Sequence, residues 1–302
     1  MDSGQLTILK QSKIKNIKQQ MMNRKIFLLL MVIYTVSSCE ADIDIRTDDG
    51  EQHLVIYGYI TNEAKQHGVK ISRSVGFFAN EQPAGVRNAV VTISSDDQHF
   101  VLTESASEPG LYQTAADAYG VAGKTYTLDV SVDGQAYRAV SFLPAIVDMD
   151  TIVLRPSVAF KDAMEIALFT PPLPETSGYY SFHFYNGDVA LTDSLLQFST
   201  VNTEYIDGSK GIDGMMCRLF IGDDRDDLIP GNIITMRIDA ITKEYYEHIA
   251  DAQAEAGGSM PIFSGPAANI VTNIQKLSPA NATPVAGFFT AYSSNSKSTV
   301  VE

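Results

Sequence analysis

Apolar and polar side chains alternate through residues 125–132 and again through residues 136–142. Alternate residues of a strand point to the same face of a sheet, so each run suits a half-buried β-strand. Asp133 and Gly134 lie between the two runs. Asp-Gly is typical of a two-residue type I′ turn, because glycine accepts a positive φ without steric cost. The sequence therefore predicts an antiparallel hairpin over residues 125–142.

Other short segments rich in β-branched and aromatic residues follow one another along the chain, separated by turn residues. They are residues 54–61, 69–73, 89–93, 99–103 and 111–114 in the first part, and 148–156, 165–170, 179–185, 195–201, 215–221, 233–241 and 286–292 in the second. Short strands at this spacing indicate a β-sandwich. We therefore expect a mainly β protein, with a β-sandwich domain over residues 50–145 and a second β-rich domain over residues 146–302.

The second domain is predicted to carry one helix, over about residues 242–256. Thr242 is a suitable N-cap, Glu244 is favourable in the first turn, and Gly257 follows the last turn. The residues spaced to share one helical face are Tyr245, Ile249, Ala252 and Ala256. The last ten residues are polar, so we expect them to fray.

Residues 1–38 are interpreted as a signal region, with the true start at Met21 or Met22. Arg24 and Lys25 precede an apolar run over residues 26–36, which is too short for a stable membrane span and fits an export signal. The order Val36-Ser37-Ser38-Cys39 is that of a bacterial lipobox, with Val in place of the commoner Leu. The hypothesis is that Cys39 is acylated and anchors the protein to a membrane. The alternative is an ordinary signal peptide with an incidental cysteine.

The region after Cys39 is acidic, and residues 39–49 are interpreted as a tether. Its acids are Glu40, Asp42, Asp44, Asp48 and Asp49. An acidic run directly after a lipidated cysteine resembles the surface-export tether of Bacteroidota lipoproteins, which favours surface exposure over the alternative of a periplasmic location. The other interpretation is a solvated linker, which is what an acidic run usually is. The whole chain has a formal net charge of −14, which repels phosphate backbones and argues against nucleic-acid binding. Tryptophan is absent, which disfavours a surface devoted to stacking sugar rings.

The sequence offers little support for catalysis, a cofactor or a metal site. The histidines are scattered, without the spacing of a metal motif. Cys217 lies in a predicted strand and is expected to be buried. A hydrolase would need convergent carboxylates in a pocket, or Cys217 exposed beside a histidine. Four aspartates within residues 223–227 could bind calcium, but their spacing favours a solvated turn.

Two tripeptides resemble acceptors for O-glycosylation in exported proteins of Bacteroidota. They centre on Thr151, in Asp150-Thr151-Ile152, and on Ser194, in Asp193-Ser194-Leu195. Such tripeptides are frequent by chance, and a position inside a strand core would prevent modification of Thr151.

Four groups of residues, in this order and spacing, resemble the Bacteroidota outer-membrane lipoproteins known as domain of unknown function 4249. They are the lipobox and acids followed by residues 54–62; Gly110-Leu111-Tyr112 with Gly120, residues 123–128, Gly134 and Tyr137; residues 228–232 leading into residues 242–246; and Asn273-Ile274 with Gly287-Phe288-Phe289. The resemblance covers nearly all of the chain after Cys39. The closing segment is longer and less rich in glycine than is usual.

The resemblance implies a non-enzymatic accessory of a TonB-dependent transporter, lipid-anchored in the outer membrane, facing the cell exterior and acting in nutrient capture. It also implies that the first domain is immunoglobulin- or transthyretin-like. No catalytic residue carries over. The alternative from a different class is a structural or adhesive protein of the cell envelope.

Overall fold

The computed structural model describes residues 21–25, 52–75, 82–160, 163–170, 178–192, 194–203, 215–221, 228–257, 270–277 and 285–302. The chain divides into two units, residues 1–50 and residues 51–302. In the first unit, residues 21–25 are helical and exposed. Within the described ranges, no helix is both long enough and apolar enough to cross a membrane.

Strands make up 51% of the described residues, and the same residues contain one long helix, which confirms the predicted mainly β class. The strands of the first part are β1 (Leu54–Thr61), β2 (Gly68–Arg73), β3 (Val90–Ser94), β4 (His99–Glu104), β5 (Leu111–Gln113), β6 (Thr125–Val132) and β7 (Gln135–Phe142). Those that follow are β8 (Thr151–Pro156), β9 (Met164–Phe169), β10 (Tyr179–Asn186), β11 (Val189–Ala190), β12 (Ser199–Asn202), β13 (Met215–Ile221), β14 (Ile233–Ile241), β15 (Gln275–Lys276) and β16 (Val285–Val300). Helix α1 spans Lys243–Ala256.

Most strands belong to one large mixed sheet, in the order β11-β10-β14-β16-β1-β2-β5-β4-β3-β6-β7-β15, with β12 also paired to β10. A smaller sheet has the order β13-β9-β8. Strands β1 and β16 are parallel, and the other pairs within these sheets are antiparallel. The hairpin predicted over residues 125–142 is formed by β6 and β7. Its turn residues Asp133 and Gly134 have φ angles of 52° and 71°, as a type I′ turn requires.

Strand β16 differs most from the sequence prediction. Residues 293–300, which we expected to fray, continue the strand and pair with β14, from Ile233↔Val300 to Ala240↔Ser293. The earlier half of the same strand pairs with β1, from Leu54↔Val285 to Thr61↔Tyr292. Polar composition is compatible with a strand here because the backbone groups of β16 are satisfied by β14.

Residues 195–197 form a short 3-10 helix, where the sequence predicted the start of a strand. Leu195 and Leu196 are adjacent and both are exposed, which the alternation of a half-buried strand does not allow. The side-chain amide of Gln253, in α1, donates to the carbonyl oxygens of Leu195 and Phe198 at 2.9 and 2.7 Å. These bonds hold the chain in the turn, and β12 begins only at Ser199.

Buried apolar side chains form two clusters within residues 51–302. The first contains residues from β1 to Leu143, together with Ile274, Phe289 and Ala291. The second is drawn from residues 149–240 and Val301. Strand β16 and its continuation thus contribute to both clusters. The division of the chain into domains at residue 145 stays a prediction.

Helix α1 begins as predicted, with the Thr242 side chain accepting a hydrogen bond from the Tyr245 backbone N–H at 3.2 Å. The backbone N–H of Gly257 closes the other end on the Gln253 carbonyl oxygen. The predicted apolar face was wrong at its C-terminal end, where Ala256 is exposed. The buried residues of the helix are His248 and Ile249, because the first two turns lie against β10 and β16.

Candidate functional site

The central strands β1 and β16 present aromatic side chains on the face opposite the first apolar cluster. Ile56 and Ile60 of β1 point into that cluster, so Tyr57 and Tyr59 point away from it. The parallel register places Tyr57 beside Phe288 and Tyr59 beside Thr290. This face of the sheet forms the floor and one wall of a cleft of about 330 Å³, which we call the aromatic cleft.

The lining of the aromatic cleft comes from β1, β2, β5, β16 and helix α1. It consists of Tyr57, Gly58, Tyr59, Gly68, Lys70, Leu111, Gln113, Tyr245, Phe288, Thr290 and Tyr292. The ring centres of Tyr59 and Tyr292 are 6.2 Å apart, and those of Tyr245 and Phe288 are 5.3 Å apart. Tyr57 is 48% exposed, so its ring is available to a ligand.

Helix α1 fixes the aromatic wall through His248. The His248 ring centre lies 4.7 Å from that of Phe288 and 5.9 Å from that of Tyr57. Its Nδ1 atom is 2.6 Å from the Val271 carbonyl oxygen, to which it can donate. Burial lowers the pKa of His248, more than this hydrogen bond raises it, so the imidazole is neutral at pH 7. His248 thus packs as an aromatic group behind the cleft.

Thr290, on the floor of the cleft, has a buried side-chain hydroxyl that lacks a hydrogen-bond partner among the described residues. The residue is 3% exposed, and within the described residues no group hydrogen-bonds its Oγ1 atom. A buried hydroxyl without a partner costs about 1–3 kcal/mol. Native proteins tolerate such groups rarely, and often where a ligand or an ordered water satisfies them.

Gly68 lies close to two other lining residues of the cleft. A Cβ atom there would lie 3.3 Å from Leu111 Cδ1 and 3.9 Å from Tyr59 Cε1, so a larger side chain would project between these two lining residues. Lys70, at the rim, is already paired with Glu108, at 2.5 Å between Nζ and Oε1. The lining therefore presents aromatic faces, hydroxyl groups and an amide, with little uncompensated charge.

A buried ionic cluster lies on the same face of the sheet, beside Tyr292. Asp239 is 3% exposed and accepts hydrogen bonds from Arg237 Nε at 2.7 Å and Ser294 Oγ at 2.6 Å. The Nε2 atom of His183 lies 3.0 Å from its other carboxylate oxygen. Arg237 also donates to the Tyr292 hydroxyl at 3.1 Å. The ionic cluster therefore holds one wall of the aromatic cleft in place.

The charges of this cluster shift the pKa values of its members. Burial alone would raise the pKa of Asp239, but the His183 hydrogen bond and the Arg237 charge outweigh it and lower that pKa. Burial alone would lower the pKa of Arg237, but the charge of Asp239 raises it instead. Burial raises the pKa of Tyr292, and raises that of Tyr245 to about 12. Both phenols are therefore protonated at neutral pH and can donate as well as accept hydrogen bonds.

A larger cavity, of about 480 Å³, lies near the start of helix α1 and is lined by Phe142, Ile146, Tyr179, Ile241 and neighbouring residues. None of its described lining residues carries a buried polar atom that lacks a partner. We therefore take the smaller aromatic cleft as the candidate site, because its lining combines aromatic rings with a buried hydroxyl that lacks a hydrogen-bond partner within the described residues.

None of the described site residues predicted from sequence lines the aromatic cleft. Cys39 and the lipobox residues Val36, Ser37 and Ser38 fall outside the described residues, as do the tether and residues 223–227. Thr151 is exposed at the start of β8, and Ser194 is exposed beside the short 3-10 helix. Both hydroxyls are accessible, and their glycosylation stays a prediction.

Cys217 is buried, as predicted, with 8% of its surface exposed. Its sulfur lies 3.7 Å from Ser199 Oγ. Burial raises its pKa to about 12, so the thiol is protonated at neutral pH. Within the described residues, no group of three or more His, Cys, Asp and Glu side chains could hold a metal ion.

Sequence reasoning missed both the aromatic cleft and the ionic cluster. Tyr57, Lys70, Gln113, Tyr245 and Thr290 come from five separate elements, and no short motif contains them. One signal was present in the sequence: Arg237 and Asp239 occupy alternate positions of a strand whose other residues are apolar except for Thr235. Such charges in a central strand require partners, and in the structure His183 and Ser294 are partners of Asp239.

Comparison with known proteins gives a family. No curated protein matches this chain. A family model matches residues 40–298, which is most of the sequence, and this match confirms the resemblance to domain of unknown function 4249. The chain belongs to the family described as Domain of unknown function (DUF4249).

Proposed function

We propose that this protein is a non-enzymatic binding protein, lipid-anchored in the outer membrane and exposed at the cell surface, which serves a TonB-dependent transporter in nutrient capture. The observation that carries the proposal is the aromatic cleft, with the unsatisfied Thr290 hydroxyl on its floor. Pockets that combine apolar walls with a few convergent polar groups are typical of small-molecule sites.

The anchor in this proposal is Cys39. Acyl chains on its sulfur and on the new N-terminus would each contribute about 0.8 kcal/mol per buried CH₂, and two or more chains hold a protein stably. Residues 39–49 would then act as a charged, extended tether. That tether would let the folded unit reach a neighbouring transporter barrel.

The proposal also covers the class of lipoprotein and the fold of the first domain. We infer that the protein is one of the Bacteroidota outer-membrane lipoproteins, with an immunoglobulin- or transthyretin-like module over residues 50–145. The type I′ hairpin of β6 and β7 and the cluster of buried apolar residues from β1 to Leu143 support such a module.

The test measures membrane anchorage, surface exposure and transporter binding of the protein in the same cells. The full chain and a Cys39→Ser variant are expressed in the native host, and Cys217→Ala is the matched control. We expect Cys39→Ser to leave the outer membrane and Cys217→Ala to remain there. Proteolytic shaving of intact cells should remove the anchored protein, and pull-down from solubilised outer membrane should recover a TonB-dependent transporter.

Each step can contradict the proposal. Retention of Cys39→Ser in the outer membrane would show that Cys39 is not the anchor. Protection from protease in intact cells would place the protein inside the envelope. A pull-down without a transporter would refute the accessory role.

One observation favours the adhesive alternative. The outward face of β3, β4, β6 and β7 carries four exposed apolar side chains, at Val90, Val101, Val140 and Phe142. Exposed apolar groups on one face can mark a protein interaction surface. An adhesive role predicts that replacing these residues with threonine reduces cell aggregation, while variants in the aromatic cleft do not.

A further inference from the structure

The larger cavity lies at the start of helix α1, and we call it the α1 cavity. Its volume is about 480 Å³, which is within the range of about 300–1,000 Å³ that is usual for small-molecule sites. Apolar side chains form most of its wall, and they include Phe142, Pro144, Ala145, Ile146, Val147 and Ile241. A ligand of this cavity must therefore present an apolar body.

Tyr180 brings an unpaired hydroxyl to the α1 cavity. The residue is only 6% exposed, and none of the described residues hydrogen-bonds its hydroxyl. A Cβ atom on Gly178, which also lines the cavity, would lie 2.7 Å from the hydroxyl oxygen. That oxygen is not fully enclosed by protein, in contrast to Thr290 Oγ1, so a bound molecule can reach it. Burial raises the pKa of this phenol, so the hydroxyl is protonated at neutral pH and can donate a hydrogen bond.

Helix α1 begins at the same cavity, which Thr242, Lys243 and Glu244 line. The Thr242 side chain accepts from the Tyr245 N–H, and the Thr242 carbonyl oxygen accepts from the Tyr246 N–H. The backbone N–H groups of Lys243 and Glu244 have no acceptor within the described residues. Free N–H groups and the helix dipole attract a negative charge to such a helix end.

Lys243 adds a positive charge at this end of the helix. Its side chain is 60% exposed, and its ammonium lies 3.7 Å from Glu247 Oε1. Exposed ion pairs of this kind contribute little, so the ammonium is available to a ligand. Glu244 lines the same cavity and opposes a large negative charge there, which favours one carboxylate over a phosphate with up to about two charges.

We propose that the α1 cavity binds a monocarboxylate with an apolar body. The carboxylate accepts hydrogen bonds from the Tyr180 hydroxyl and from the first N–H groups of α1, and it pairs with Lys243. The apolar body packs against Phe142 and Ile146. The linings of the α1 cavity and the aromatic cleft share no residue, so this second site goes beyond the proposed function and does not depend on a transporter.

Equilibrium dialysis of the full chain in detergent tests the inference, with protein-free detergent as the blank for partition into micelles. The probes are octanoate, the neutral octanamide and the cationic octylamine, which share one apolar body. We expect octanoate to bind, octanamide to bind at least about tenfold more weakly, and octylamine not to bind, because the last two lack the negative charge.

Two variants examine the groups that hold the carboxylate. Tyr180→Phe keeps the ring and removes the hydroxyl, so it should weaken octanoate binding about tenfold through loss of one hydrogen bond to a charged group. Lys243→Gln removes an exposed charge, so it should weaken octanoate binding more at low salt than at high salt.

Tyr119→Phe and Lys124→Gln are the matched controls, because both residues lie outside the lining of the α1 cavity. Neither change should alter the affinity for octanoate, and thermal unfolding of every variant establishes that it is folded.

Three results would overturn the inference. Octanamide or octylamine binding as tightly as octanoate would show that the cavity does not select a carboxylate. Octanoate affinity unchanged in both Tyr180→Phe and Lys243→Gln would exclude the α1 cavity as the site. Failure of octanoate to bind saturably would leave no carboxylate site at all.

Discussion

Replacing Asp239 with asparagine removes one charge from the buried ionic cluster and keeps the size of the side chain. The carboxylate accepts hydrogen bonds from Arg237 and Ser294 and lies 3.0 Å from His183 Nε2. Asparagine can keep the one oxygen that accepts from both Arg237 and Ser294, but its amide group then replaces the negatively charged oxygen that faces His183. The guanidinium of Arg237 is then left half-buried without its counter-charge.

The expected loss of stability is large. Removing one partner of a buried ion pair costs about 3–5 kcal/mol, and the retained amide oxygen places this change near the lower end, at about 3 kcal/mol. Domains are stable by only about 5–15 kcal/mol. For a chain of this size, 1 kcal/mol corresponds to about 2–4 °C in Tm, so we expect a fall of about 6–12 °C.

The matched control is Asp129→Asn on the hairpin of β6 and β7. Asp129 pairs with Arg138 at 2.7 Å, the same distance as Asp239 and Arg237, but this pair is more exposed, with 50% of the Arg138 side chain and 36% of the Asp129 side chain accessible, against 21% and 4% for Arg237 and Asp239. Exposed pairs contribute about 0–1 kcal/mol, so this variant should change Tm by less than about 4 °C. Differential scanning calorimetry of the full chain measures both variants.

The pH dependence gives a second readout. The pKa of Asp239 is lower in the folded protein than in the unfolded chain, where it is about 3.9. The carboxylate therefore adds to the free energy of unfolding above the unfolded pKa, and this stabilisation is lost as pH falls through the folded pKa. The Tm difference between wild type and Asp239→Asn should therefore narrow below about pH 4. A fall in Tm no larger than that of Asp129→Asn at pH 7 would refute the reasoning.

Three further predictions concern single residues. Gly287→Ala should lower the free energy of unfolding by more than the cost of backbone strain at its φ of 105°, which is about 1–3 kcal/mol, because the new Cβ would also lie 2.0 Å from the Ile56 carbonyl oxygen. The control is Gly134→Ala, which has a positive φ of 71° but open space around its Cβ. Denaturant unfolding measures both variants. Thr290→Val should raise Tm by about 2–4 °C, since it removes an unsatisfied hydroxyl worth about 1 kcal/mol; a lower Tm would mean that the hydroxyl is already satisfied. In a Cys39→Ser chain, iodoacetamide at pH 8 should label Cys217 only in denaturant, as mass spectrometry can show, and rapid labelling of the folded chain would contradict its burial.

Much of the fold could be predicted from residue patterns within short segments of the sequence. The β6–β7 hairpin follows from alternation and from Asp133-Gly134, and the start of helix α1 follows from the Thr242 cap. The last part of β16 was not predictable in this way, because the order of residues 293–300 comes from their pairing with β14. The 3-10 helix at residues 195–197 depends likewise on Gln253, far away in the sequence.

The cleft could not be predicted from short sequence patterns either, because its residues are also distant in sequence. Thr290 is one of several threonines in strands, and only the packing of Tyr57, Phe288 and helix α1 around it makes its hydroxyl buried and unsatisfied. Sequence patterns identify which residues face a core. They do not identify which residues from distant strands share a solvent-facing hollow.

The double pairing of β16 has a consequence for the time course of folding. β1 is synthesised well before β14 and β16, yet β16 is the strand that joins β1 to β14. Contacts between residues so distant in sequence form slowly, because a long loop must close first. The central sheet therefore cannot close until β16 has been synthesised, and until then the edges of β1 and β14 that pair with β16 stay unpaired.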